Sequence, residues 1–459
     1  MISPARVAAF EILRAISSGR ADLPSAIAHI RTRVEDERDR ALAAEIATGV
    51  QRWRATIDHL IGTFSKRPFT RLDGDIVDIL RLGAYQLLHL SRVPASAVVD
   101  DAVDLARRAG KRSAAGFVNA VLREVSRRRR ALPIPARPAN PRDRVAAVDY
   151  LTIALSHPRW LAERWYDRFG FEIAEAWLRF NNSAAPLTLR ANPLKTSIDD
   201  LIETLRADDI AVSRGRFAPG ALIVERGHPL RGRGLAGGLF VVQDEASQLV
   251  ALLAGSPGRR ALDTCASPGG KTTALAAAMH NEGQLLACDV RDRRIELLRR
   301  TVAASGATNI RLVQADLLQP LPLSVQFDCV LVDAPCSGLG TLRRDPDIRW
   351  RRREEDLTTL AAAQKTMIAN AADCVAPGGR LIYATCSSEP EENEYVVDAF
   401  LASHPSFVPV DARSLGALPA AVIDARGYLR TAPHLHALEA FFGAVMAATA
   451  TPRSPRASL

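Results

Sequence analysis

From Asp244 onward, short apolar runs of strand type alternate regularly with amphipathic helical segments, and this alternation limits the fold more than any other feature of the chain. Residues 260–264 lead through a glycine-rich turn into a helix over 271–279. Strand-like 284–288 ends at Asp289, and 310–314 runs out at Asp316. Residues 327–332, a long helix around 356–374 and a strand over 380–384 continue the pattern. Strand, helix and strand in repetition imply a mainly parallel, doubly wound sheet, whose ligands bind outside the carboxyl ends of the strands.

Two cysteines stand at such ends. Cys336 lies in Val332-Asp333-Ala334-Pro335-Cys336-Ser337-Gly338, and Cys386 in Tyr383-Ala384-Thr385-Cys386-Ser387-Ser388. Pro, Ser, Thr and Asp mark exposed turns, whereas a free Cys is usually a small buried hydrophobe. Both thiols are therefore expected to face one crevice, while Cys265, Cys288, Cys329 and Cys374 read as packing residues.

The rest of the chain is organised differently. Up to about residue 130 the apolar positions recur at helical spacing, as in Leu42, Ile46, Val50, Trp53, Ile57 and Leu60, with breaks at Gly19, Pro24, Pro94 and Gly110. This predicts an all-α domain over 1–130 ending in the basic run Arg127 to Arg130, a solvated helix end or a phosphate contact. Four prolines between 133 and 141 exclude helix and predict a linker over 131–143. Residues 144–243 mix the two patterns, with helices near 158–181 and 197–207 and strands at 186–191 and 221–224, and predict a small α+β domain. The Arg231 to Gly234 run reads as a loop or as a cradle for a backbone phosphate. The α/β domain then spans 244–449, and 450–459 reads as a flexible tail.

Composition narrows the partners. Lys and Arg number 60 against 51 acids, a formal charge of +9, which favours an anionic partner such as RNA. Six cysteines without a close-spaced framework imply a reducing compartment, and no Cys or His spacing suggests a metal. Arg6, Glu11 and Arg14 interrupt the first apolar positions, unlike a signal peptide. No run approaches the roughly 18 apolar residues of a membrane span, so a cytoplasmic protein is expected.

The glycine-rich turn, Asp263-Thr264-Cys265-Ala266-Ser267-Pro268-Gly269-Gly270-Lys271-Thr272, can be tested against three ligands. A nucleoside triphosphate loop requires a first glycine where Cys265 stands, and the dinucleotide pattern G-x-G-x-x-G is absent. S-adenosylmethionine fits better. Asp289 ends the next strand, where a carboxylate can accept ribose hydroxyls, and Asp316 ends the one after, near the place of an adenine ring. Each Asp alone could merely cap a helix; two in register after such a turn favour the cofactor.

A methyl donor, two thiols and a basic surface share one chemistry, methylation of carbon 5 of cytosine. A thiolate adding to carbon 6 makes carbon 5 enamine-like; after methylation a base removes the carbon 5 proton and the thiol leaves. The base must be flipped or single-stranded. The residues alone leave open which cysteine attacks.

Resemblance bears on that question. Leu80-Arg81-Leu82-Gly83-Ala84-Tyr85-Gln86-Leu87 and Gly116-Phe117-Val118-Asn119-Ala120-Val121-Leu122-Arg123 resemble a NusB-type RNA-binding domain. Ser156-His157-Pro158-Arg159-Trp160-Leu161, Gln243-Asp244-Glu245-Ala246-Ser247, the glycine-rich turn and both cysteine motifs resemble the bacterial small-subunit ribosomal RNA methyltransferase B (Sun) family. The resemblance implies a NusB-like domain, a small α+β domain and a Rossmann-like class I methyltransferase domain acting on small-subunit (16S) ribosomal RNA. It implies Cys386 as nucleophile and Cys336 as the residue assisting elimination. Cys265, Ala266, Ser267, Pro268, Gly269, Gly270, Lys271, Asp289, Asp316 and Asp333 would contact S-adenosylmethionine. Arg190 and Asn192 resemble a short Arg-x-Asn element of these proteins and could equally brace a strand. The chain departs from the family at Glu439-Ala440-Phe441-Phe442, where Asp-Gly-Phe-Phe is usual, and has Ser267 for a more usual Ala. Arg343, Arg344 and the run Arg349-Trp350-Arg351-Arg352-Arg353, just past Cys336, read as an RNA-contact loop or as a solvated loop with a core Trp. Transfer RNA or another ribosomal RNA site, and a non-catalytic RNA-binding or antitermination factor, are the competing readings.

Overall fold

The computed structural model describes residues 2–449; the tail expected from 450 onward lies outside the described residues. The chain forms two compact units. One comprises Met1–Ala184 together with Leu342–Arg353, the other Ala185–Thr341 and Glu354–Leu459.

The first unit is helical. Its axis is the helix Gly74–His89, in which every residue from Ile76 to Leu87 is buried. A helix buried all round must be sheathed by others. Helices Pro4–Ser17, Glu37–Arg52, Arg54–Ser65, Ala95–Arg108 and Ala115–Arg128 pack against it. Approach is close where Gly83 lies under Leu122; a Cβ there would come within 2.6 Å of that side chain. Aspartates start several of these helices, the Asp22, Asp36 and Asp73 side chains each accepting a backbone amide in the first turn. The basic end at Arg127 and Arg128 is paired with Glu124, which favours the solvated reading of that run.

The proline-rich stretch over 131–143 holds no helix or strand, as its composition predicts. The compact unit nonetheless continues to Ala184, because the residues beyond are fastened to its helices. The Ser156 hydroxyl accepts from the Ala55 amide at 3.0 Å, and the Ile153 carbonyl from the Thr56 hydroxyl at 2.5 Å. The helix expected near 158–181 is two, Arg159–Phe169 and Phe171–Asn182, broken at Gly170 with φ +77°.

The second unit holds two sheets. β1 (Thr188–Ala191), β2 (Ala211–Arg214), β3 (Ala221–Arg226) and β4 (Phe240–Val242) form an antiparallel sheet in the order β2-β3-β1-β4. The larger sheet contains β5 (Arg260–Asp263), β6 (Gln284–Asp289), β7 (Ile310–Gln314), β8 (Phe327–Asp333), β9 (Val375–Thr385), β10 (Phe407–Val410), β11 (Leu429–Arg430) and β12 (Phe442–Ala448). Its order is β10-β12-β9-β8-β5-β6-β7, with β11 on β12. β5 to β9 pair in parallel, and β10, β11 and β12 are antiparallel. The mainly parallel α/β sheet inferred from the alternation is thus present.

Side chains along the central strands alternate between two cores. Ala261, Leu285, Leu331 and Ile382 enter one, Leu262, Leu286, Val330 and Leu381 the other. Strands covered on both faces read as continuous apolar runs, which is why they were visible in the sequence. From β5 the chain adds β6 and β7 on one side, then returns to lay β8 and β9 on the other. The loops after β5, β8 and β9 therefore meet at the carboxyl edge of a strand-order reversal.

Candidate active site

The loop after β5 is the glycine-rich turn, and it runs into the helix Gly270–Ala278. Gly269 has φ +106°, and a Cβ on it would meet Leu298 at 2.9 Å, so both conformation and space require glycine. A cleft of about 220 Å³ opens beside the turn, lined by Cys265 to Pro268, Gly270, Lys271, Asp333 and, across from them, Gln243 and Thr301. Asp263, at the end of β5, reaches into it. Its Oδ2 accepts the Thr272 hydroxyl at 2.7 Å, whereas Oδ1 is buried without a hydrogen bond. Burial, followed by the nearby Asp333 charge, pushes this carboxyl up to about 7. Sequence reasoning quoted Asp263 but assigned it nothing; its place as the last residue of the first strand was the available signal.

Asp289 and Asp316 part company here. Asp289 is buried and accepts from the Ser267 amide at 3.1 Å and the Val290 amide at 2.8 Å, so its carboxylate is fixed against the turn. Asp316 is exposed and accepts from the Leu318 amide at 2.9 Å as a local cap; neither carboxylate lines the cleft itself, but Asp289 is bonded to Ser267, which does.

The thiols of Cys336 and Cys386 face each other at 3.2 Å. Both are half-buried, while Cys288, Cys329 and Cys374 are buried as expected of packing residues. A hydrogen bond to Cys386, with burial next and the Glu392 charge further down, holds the Cys336 thiol well above the ordinary range. Lys271 connects the pair to the cleft. Its ammonium donates to Asp333 Oδ2 at 2.7 Å; burial lowers its pKa, but Asp333 and the charge of Cys386 outweigh that and hold it above the usual lysine value. Lys271 is therefore a fixed positive charge within electrostatic range of one of the two sulfurs.

The two cysteine loops are tied together. The Gly340 amide donates to the Cys386 carbonyl at 3.0 Å, and the Gly340 carbonyl accepts from the Ala440 amide at 3.0 Å. A Cβ at Gly340 would lie 1.9 Å from the Ala440 carbonyl oxygen. Ala440, the departure from the family pattern, has no left-handed backbone, and positive φ falls on Ala437 instead, so glycine is not required there. Glu392 and Asn393, fully buried, also join these loops. They lie in a Glu-Pro-Glu-Glu-Asn-Glu run that reads as solvated charge, and nothing in the sequence marked them.

Arg190 and Asn192 brace rather than line the cleft. Arg190 donates to the Thr273 hydroxyl at 2.7 Å, joining β1 to the helix after the turn, and Asn192 donates to the Gly238 and Ser305 carbonyls, both at 2.8 Å. The expected RNA-contact loop needs correction at its centre. Leu342–Arg353 belongs to the helical unit, and Arg349 is fully buried there. Its guanidinium donates to the Ser156 carbonyl at 2.9 Å and Asn182 Oδ1 at 3.0 Å, with longer bonds to the carbonyls of Leu342, Arg52 and Asn181. Trp350 Nε1 donates to the Gln51 carbonyl at 2.6 Å. Arg349 is therefore not available to a phosphate; Trp350 is half-buried with the Arg54 guanidinium 5.5 Å from its ring centre, and Arg351 and Arg353 are exposed.

Among the described residues no cluster of His, Cys, Asp and Glu could hold a metal ion, and no helix is long and apolar enough to cross a membrane.

Comparison with known proteins gives matches along nearly the whole chain. The family model described as 16S rRNA methyltransferase RsmB/F matches residues 250–447, the NusB family model residues 3–127, and a ferredoxin-like domain model of RsmF/B-like methyltransferases residues 157–231. Ribosomal RNA small subunit methyltransferase B of Pseudomonas putida is 34% identical over 410 residues, covering 88% of this chain and 91% of its own. Among solved structures, PH0851 is 27% identical with a TM-score of 0.78, covering 97% of this chain and 99% of its own. A methyltransferase homolog protein from Pyrococcus horikoshii is 26% identical with a TM-score of 0.57, covering 66% of this chain and 99% of its own.

Proposed function

The chain belongs to the RsmB/F family of 16S rRNA methyltransferases, and on that premise we propose that it methylates carbon 5 of a cytosine in small-subunit ribosomal RNA, with Cys386 as nucleophile and Cys336 as the base that completes the cycle. The observation that carries the reading is the 3.2 Å separation of the two sulfurs at the carboxyl edge of a parallel sheet, beside the cleft of the glycine-rich turn.

The cleft suits S-adenosylmethionine. Asp263 Oδ1 is a buried acceptor without a partner, the Asp289 carboxylate keeps lone pairs beyond its two amide bonds, and the helix Gly270–Ala278 turns its first amides toward the turn. Asp263, Cys265 to Lys271, Asp289 and Asp333 would hold the cofactor; Asp316, exposed and self-capped, has the weakest case. When bound, it supplies an electrophilic methyl group.

The two thiols divide the remaining work. Cys386 adds as the thiolate to carbon 6 of the cytosine, leaving carbon 5 nucleophilic, with the Lys271 ammonium held on Asp333 close by. Cys336 remains a thiol at this stage, because its partner sulfur, burial and Glu392 all oppose a second negative charge. Once Cys386 is bound to carbon 6 as a thioether, its contribution to that opposition is gone. Cys336 then ionises more readily, accepts the carbon 5 proton, and the carbon 6–sulfur bond breaks to return Cys386. Asp333 keeps Lys271 oriented through the cycle.

The test is a pair of variants. Cys386→Ala abolishes methylation without forming an adduct, whereas Cys336→Ala accumulates a covalent protein–RNA species that resists denaturant. The opposite pattern reverses the roles, and bisulfite mapping of 16S rRNA with and without the gene identifies the target or moves it to another RNA.

A further inference from the structure

Cys336 and Cys386 follow different strands, so the gap between their sulfurs depends on whatever joins the two loops. A single carboxylate spans that distance. Glu392 Oε1 accepts from the Ser337 amide at 2.7 Å and Gln364 Nε2 at 3.0 Å; its Oε2 accepts from the hydroxyls of Ser337 and Ser387, both at 2.5 Å. Ser337 and Ser387 are the residues immediately after the two cysteines, and their hydroxyls are 3.2 Å apart, the same separation as the sulfurs. The carboxylate has about four acceptor sites, and all are taken. A buried anion persists only where donors replace its water, and here those donors come from both cysteine loops. Gln364 also donates to the carbonyl of Pro335, just before Cys336. The neighbouring Asn393 grips the other loop on both sides of Cys386, donating to the Ser387 carbonyl at 3.0 Å and accepting from the Thr385 hydroxyl at 2.5 Å.

We propose that Glu392 is a positioning residue: by gripping Ser337 and Ser387 it sets and holds the separation of the two thiols. The inference rests on the two-thiol reading above. Glu392 bonds to neither sulfur, so it acts through the loops. Its charge adds to the influences that keep Cys336 protonated in the free protein, which suits the division of roles.

The test uses Glu392→Gln, which keeps the shape but turns one acceptor into a donor facing donors. Phenylarsine oxide reads the spacing without turnover, since it binds stably only where two adjacent thiols together replace its oxygen, forming two As–S bonds and releasing water. The parent protein captures the arsenical and Cys336→Ala does not. Glu392→Gln is expected to lose the capture, and its single-turnover methyl transfer to fall about a hundredfold, the scale of a misplacement near 1 Å. S-adenosylmethionine binding, which involves none of the Glu392 bonds, stays at the parental level. The double variant Ser337→Ala with Ser387→Ala retains the carboxylate; it is expected to show the same two losses and serves if Glu392→Gln does not fold. Parental capture and parental rate in either folded variant overturn the proposal. If the parent itself methylates no cytosine, the functional reading fails, while the arsenical arm still decides the role of Glu392.

Discussion

Arg349→Ala separates a structural arginine from an RNA contact. Of the five carbonyl and amide oxygens that Arg349 reaches, those of Ser156 at 2.9 Å and Asn182 at 3.0 Å have good lengths, and the others, at 3.3 to 3.5 Å, are weak. A hydrogen bond made by a charged group contributes about 1.5–3 kcal/mol, so the two good ones amount to about 3–6 kcal/mol. Against this, burial, with Arg52 adding like charge, lowers the guanidinium to about 9, a cost that disappears with the side chain. Truncation also strands the buried oxygens that the guanidinium serves, and breaking a buried charged network in this way costs about 3–5 kcal/mol; with the burial cost relieved, the low end, about 3 kcal/mol, is expected. In a unit of about 150–250 residues this shifts Tm by roughly 6–12 °C. Calorimetry should show that shift in the helical unit, while the salt dependence of RNA binding by the folded variant keeps its slope. A Tm change under about 2 °C, with the slope smaller by about one, would refute the reasoning, since that is the signature of a lost phosphate contact.

The remaining predictions concern the catalytic unit. Gly340→Ala forces a Cβ onto the Ala440 carbonyl and is expected to abolish methylation, with Tm falling as the loop shifts; parental kcat in the purified variant contradicts the tie between the cysteine loops. Asp263→Asn is expected to weaken S-adenosylmethionine binding, measured by calorimetric titration. It also removes a pH dependence: the Asp263 pKa is raised on folding from 3.8 to about 7, so its contribution to stability is full below about 4 and is lost as pH rises through 7. The Tm of the variant relative to the parent should therefore be higher at pH 8 than at pH 4.5, and an equal difference at both pH values counts against a neutral buried carboxyl. Lys271→Met leaves Asp333 without its cation and is expected to slow adduct formation more than adduct resolution, read by rapid-quench trapping.

Much of this arrangement was legible in the sequence for a definite reason. Strands buried on both faces are continuous apolar runs, and the turn residues just beyond them, as around Cys336 and Cys386, mark where the strands end. The same signature failed to separate Asp289 from Asp316, because each follows an apolar run and only the fold shows that Asp289 closes its strand, buried against the turn, whereas Asp316 lies past the end of β7 and caps its own loop. Sequence adjacency misled at Arg349: a few residues past Cys336 the chain leaves the sheet unit and enters the helical one, and the charge that looks suited to RNA is buried on backbone carbonyls. Glu392 and Asn393 were invisible for the converse reason. A run rich in glutamate reads as solvated, and only three-dimensional contact with Ser337 and Ser387 shows that its middle is buried.

The most direct measurement of the central claim uses RNA carrying 5-fluorocytidine at the target position. Fluorine on carbon 5 cannot leave as a proton does, so a cycle that begins with attack on carbon 6 halts after methyl transfer with the protein still attached. Peptide mass spectrometry of the halted complex is predicted to find a methylated fluorocytidine joined to Cys386, with Cys336 free. Attachment at Cys336, or a methylated product released without any covalent species, contradicts the account.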